Sequence, residues 1–102
     1  MKIKRIKSLR VNSTIFTIKW NRKSRGASYN YHTNIIEIGT YNCSNNKLLM
    51  ILCHELQEIV AVEMSVRLMR PDCDSDFIFV YDHRQHDAMA DMFAGLLMQF
   101  ID

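Results

Sequence analysis

The chain has 102 residues, a formal net charge of +2 and 48% hydrophobic residues, one domain's length with enough apolar content for a single core. No apolar run approaches the ~18 residues of a membrane span, the opening Met1-Lys2-Ile3-Lys4-Arg5 lacks the apolar centre of a secretory signal, and Cys43, Cys53 and Cys73 are odd in number with no CxxC pair. These features argue against a membrane protein and a disulfide scaffold, and predict a cytoplasmic protein with free thiols.

The elements follow in chain order. Residues 2–11 mix basic and aliphatic side chains, with Leu9 and Val11 alternating but Ile3 and Ile6 three apart, so helix and strand compete there. Thr14 to Trp20 is β-branched and aromatic, with Phe16, Ile18 and Trp20 on one face, and predicts a strand. Asn21 to Ser28 has turn chemistry around Gly26 and predicts an exposed basic loop. Tyr29 to Tyr41 alternates again and predicts a third strand, bent or bulged near His32 to Asn34.

Ser44, Asn45 and Asn46 are candidate caps for a long helix. The stretch Leu48 to Arg70 contains no Gly or Pro and is rich in Leu, Ile, Met and Val, so the helix is expected over residues 44–70, stopped by Pro71. Asp72 to Asp76 reads as an acidic loop without the spaced ligands and glycine of a calcium loop. Phe77 to Tyr81 is a short apolar run, strand-like or a core plug. Asp82 with Gln85 forms a capping-box pattern opening a second helix over 82–101, whose Met89, Met92, Phe93, Leu96, Leu97 and Phe100 recur at helical spacing as core filling.

Charge is unevenly spread. Residues 1–25 hold nine Lys or Arg and no acid, leaving four of the 13 basic residues with all 11 acidic ones, so +9 faces −7. Such asymmetry suits docking on nucleic acid or on an acidic protein; solvated edge strands that resist aggregation are the simpler reading.

His54, Glu55 and Glu58 stand in the middle of an otherwise apolar helix, where uncompensated imidazole and carboxylate groups are costly. Residues four apart share a helix face, so His54 and Glu58 can aim at one point, with Glu55 beside them. His83, His86 and Asp87 open the next helix. Imidazole and carboxylate are the ligands zinc takes outside thiolate sites, and three protein ligands leave a coordination position open for water. A hydrogen-bonded polar network in the core would need no ligand at all.

The segment Leu49 to Glu58, with His54-Glu55-Leu56-Gln57-Glu58 at its end, resembles the active-site helix of zincin metallopeptidases, and more narrowly that of very small zincin-like phage and bacterial proteins. Phe79 to Asp87, with a histidine followed four residues later by an aspartate, is similar to a second pattern in those proteins. The resemblance covers roughly residues 35–102. It implies zinc ligands at His54, Glu58 and His83, a general base at Glu55, Asp87 as ligand or as the acceptor that orients an imidazole, and His86 as the competitor of His83. Zincins carry histidine where this chain has Glu58, so the motif is HExxE, and the added carboxylate makes a metal-bound water less acidic.

The resemblance further implies a peptide or protein substrate held along an edge strand, with Tyr29 to Ile38 as the candidate. The expected architecture is a single α+β domain with a small, mainly antiparallel three-stranded sheet over residues 1–41, followed by two packed helices. The expected function is a minimal zinc-binding protein with peptidase-type hydrolase chemistry. The alternative is a non-catalytic phage-type binding module or inhibitor that docks through its basic first quarter.

Overall fold

Alternation of apolar and polar residues in the first forty positions produces four strands, not three. A computed structural model of the chain describes residues 2–30, 32–70 and 73–101. The order is β1 (Ser8–Val11), β2 (Thr14–Asn21), β3 (Arg25–Asn30), β4 (Ile35–Thr40), α1 (Asn45–Glu63), β5 (Arg67–Arg70), β6 (Cys73–Phe79) and α2 (His83–Met98). Among the described residues, no helix is long and apolar enough to cross a membrane.

The expected three-stranded, mainly antiparallel sheet is replaced by a four-stranded mixed sheet of order β1-β2-β4-β3, with a separate β5-β6 hairpin. β2 pairs in parallel with β4, which in turn pairs antiparallel with β3. Composition explains the order. β4 carries Ile35, Ile36 and Ile38 and occupies the interior of the sheet, where a strand with apolar residues on both faces belongs. β3 contributes Arg25, Ser28 and Asn30 and sits at the edge, where polar side chains protect unpaired backbone groups. The anticipated bend near His32 to Asn34 is the turn between these strands, with Asn34 at φ 56°. The basic loop over Asn21 to Ser28 is therefore shorter than expected, its second half being β3, and the edge strand is Arg25–Asn30 in place of Tyr29 to Ile38.

At the other edge β1 is closed by the C-terminal end of α2. Gln99 Nε2 donates to the Arg10 carbonyl at 2.8 Å, and the Arg10 N–H donates to Gln99 Oε1 at 2.9 Å. One face of the sheet supplies Leu9, Val11, Phe16, Ile18, Ile36 and Ile38 to the core, against Leu52, Leu56 and Ile59 of α1, Leu96 of α2 and Phe100 just beyond it.

Both helices begin as their sequences predict. The Ser44 hydroxyl accepts from the Lys47 N–H at 3.1 Å, and Asp82 and Gln85 form a reciprocal capping box. The end of α1 differs from expectation. It stops at Glu63, not near Arg70, because Ser65 adopts φ 56° and the Val66 and Ser65 N–H groups bond back to the Ala61 and Val62 carbonyls, each at 3.0 Å. This is a Schellman closure without its usual glycine. Residues 67–70 then form β5; Pro71 and Asp72 lie outside the described residues, and residues 73–76 begin β6 instead of forming an acidic loop.

Gly39 and Gly95 respond in opposite ways to a methyl group. A Cβ on Gly39 would run into the backbone carbonyl of Ser24, whereas one on Gly95 of α2 would meet nothing within 4 Å. Gly39→Ala is expected to lower stability by about 2–3 kcal/mol, and Gly95→Ala to raise it by about 0.5–1 kcal/mol. Urea denaturation midpoints of the two variants check both signs.

Candidate functional site

α1 and α2 pack against each other and share the core. Between the second half of α1 and the first half of α2 lies a cleft of about 500 Å³. Its α1 wall includes His54, Gln57 and Glu58; Phe79 and Tyr81 close one side where the chain leaves β6; His86, Met89, Ala90 and Phe93 come from α2. His86 shares a helix face with Met89, Ala90 and Phe93, three, four and seven residues on, which directs it towards α1.

Two polar pairs dominate the region. His54 Nε2 stands 3.7 Å from Glu58 Oε2, one turn along α1, with side chains 75% and 31% exposed. His83 Nδ1 stands 3.6 Å from Asp87 Oδ2, with side chains 89% and 66% exposed. His83 and Asp87 do not line the cleft. The His86 ring lies 6.4 Å from that of His83 and stacks on Tyr81, with centroids 5.9 Å apart and planes inclined by 14°. The cleft thus joins His54 and Glu58 with His86, while His83 pairs on the outer surface. Among the described residues, no three His, Cys, Asp or Glu side chains are grouped so as to hold a metal ion.

Glu55 lies to one side of this set and does not line the cleft. It is 4% exposed, the one charged residue in the buried class among the described residues. Burial pushes its carboxyl above the ordinary value of 4.5, the charge of Glu58 adds to the rise, and His54 and Arg67 pull it back. The helix therefore exposes one carboxylate to the cleft and keeps a second in a setting that favours its protonated form.

Compared with family models, with curated proteins and with solved structures, the chain matches none.

Several cleft residues were not anticipated as such. Phe79 and Tyr81 belong to the run read as a strand or core plug, and Met89 and Phe93 to the stripe read as core filling; both of the latter do pack partly against the core. The exposure of Phe79 and Tyr81, 48% and 45%, follows from the position of the hairpin, which no local pattern encodes.

The protonation of Glu55 sets a pH dependence. Its folded-state pKa is raised, so the folded state holds this proton more tightly than the unfolded chain. The associated stability is complete below about the unfolded value and is lost as pH rises through the folded one. Glu55→Gln is expected to leave stability near pH 4 almost unchanged, to raise it at neutral pH, and to flatten the slope between. Urea unfolding at three pH values across that window provides the measurement; a slope equal to the parent's would exclude Glu55 as its source.

Proposed function

We propose that the chain is a metal-binding protein that holds zinc between its two helices through His54, Glu58 and His86, and that it hydrolyses peptide bonds. The observation that carries this reading is the cleft itself, which gathers two imidazoles and a carboxylate from both helices. Two histidines and one glutamate are an established zinc donor set. Completing it requires the exposed His86 side chain to leave Tyr81 and approach His54 and Glu58. Free thiols at Cys43 and Cys53 support a reducing, cytoplasmic setting.

Zinc, when bound, supplies Lewis acidity towards a carbonyl oxygen and lowers the pKa of water. Glu55 is the proton acceptor in this proposal, a role that requires its buried carboxyl to turn from the interior towards the cleft that His54 and Glu58 line. Its carboxyl, next in the chain to His54 and sensitive to the charges of His54 and Glu58, has its affinity for a proton raised in the direction that general base catalysis near neutrality requires. Phe79, Met89 and Phe93 give the cleft an apolar wall that excludes water and accepts an apolar side chain. Asp87 orients His83 on the outer surface and takes no part.

Elemental analysis and zinc calorimetry on untagged protein test the assignment. One zinc per chain is expected, with affinity falling by more than about 100-fold in His54→Ala and in His86→Ala, since loss of even an outer partner of a ligand costs about 10–100-fold. His83→Ala should bind zinc like the parent. Glu55→Gln should retain zinc and lose cleavage of a quenched peptide library. A parent protein that takes up no zinc ends the proposal, and a fully active Glu55→Gln ends the role given to that residue.

A further inference from the structure

The cations of the first quarter of the chain are not spread evenly over the sheet. Residues 2–7 run back along the second half of β2: the Ile18 N–H donates to the Lys7 carbonyl at 2.9 Å and Trp20 Nε1 donates to the Ile6 carbonyl at 2.8 Å. This places Arg5 on Trp20, with its guanidinium 5.7 Å from the ring centroid. The next residues of the chain beyond β2 are Arg22 and Lys23, in the turn to β3. Arg25 opens β3 and lies over Tyr41, 5.2 Å from its centroid. Lys47, in the first turn of α1, lines the same shallow hollow as Arg25.

All five of these cations are exposed. Among the described residues, none forms an ion pair, and Glu37 of β4 lies mid-strand in register with Lys19. Contact with the Trp20 and Tyr41 rings restrains two guanidinium groups, which lowers the entropic cost of meeting an anion. Along α1, Lys47 is about 10–16 Å from His54 and Glu58 at 1.5 Å per residue, so this end is separate from the cleft.

We propose that this end of the sheet is a docking surface for the phosphate backbone of nucleic acid. Arg5 and Arg25 flank a sheet whose outer strands lie three strand spacings apart, about 14 Å. Phosphates recur every ~3.4 Å of helix axis on each strand of a duplex, so a duplex laid across that width brings several phosphates within reach of these cations. A regular row of phosphates fits unpaired cations at both margins of the sheet better than a flexible acidic peptide, which must be ordered to reach them. Recognition is through charge and is independent of sequence.

Fluorescence anisotropy of a labelled 20-nucleotide DNA, single-stranded and as a duplex, with the full chain tests this, using labelled polyglutamate of equal charge as the competing anion. The expected duplex affinity falls by about 100-fold between 50 and 200 mM salt, the loss implied by about four phosphate contacts. The triple variant Arg22→Ala, Lys23→Ala, Arg25→Ala, its fold checked by circular dichroism, should cut the salt slope by about three, roughly one per phosphate contact removed. His54→Ala and His86→Ala should bind DNA like the parent. Absence of DNA binding at 50 mM salt, equal or tighter binding of polyglutamate, or an unchanged slope in a folded triple variant would each overturn the proposal.

Discussion

The reversal at Ser65 is the constraint on which the rest of the chain depends. The left-handed residue there ends α1 at Glu63, eight residues before Pro71 in the sequence, and the two backbone hydrogen bonds that close it send Val66 into the core. Everything downstream follows from that change of direction. The Val80 N–H donates to the Val66 carbonyl at 2.9 Å, so the hairpin returns to the point where α1 stopped. The capping box at Asp82 then starts α2 beside the second half of α1. Had α1 continued to Arg70, it would have been about 10 Å longer at 1.5 Å per residue, and neither the hairpin wall nor the cleft could form where they do.

Within that frame, neighbouring residues of one helix serve different environments. A step of one residue on a helix is a rotation of about 100°, enough to take His54 into solvent and Glu55 into the protein. His54 and Glu58, a full turn apart, return to the same face. Burial then separates the two glutamates: Glu58 at the cleft meets an imidazole, whereas Glu55 is desolvated and its carboxyl is driven towards the protonated form. The same helical rule divides the histidines of α2, since His86 follows the apolar face towards α1 and His83 follows Asp87 outward.

The two ends of the molecule are chemically unlike. One edge of the sheet, β1, is sealed by Gln99 and the C-terminal end of α2, and the other, β3, carries polar residues and an arginine. The cleft is bounded by aromatic and methionine side chains with three polar groups that ligate metals in other contexts. The opposite end is polar and cationic, and its five cations form no ion pair among the described residues. A single small core supports both because the sheet presents one face to the helices and the other to solvent.

Much of this organisation is legible in the residues themselves. The alternation of Phe16, Ile18 and Trp20 determines β2, the Asp82-Gln85 pair determines the start of α2, and the four-residue spacing of His54 and Glu58 determines that they share a face. These are local rules, satisfied within one or two turns of chain. Three features were decided by tertiary structure alone. β4 sits between β2 and β3, making the sheet mixed, because its isoleucines are more favourably buried than the polar residues of β3. Helix α1 ends at Glu63 because its closure needs no glycine, so Met64-Ser65-Val66 carries no visible stop while Leu68, Met69 and the arginines keep a helical appearance. His86 rather than His83 reaches the cleft because the direction of a helix face is set by what it packs against. Sequence by itself determined which side chains share a face; only packing determined what each face would meet, since burial of apolar surface depends on partners distant in the chain.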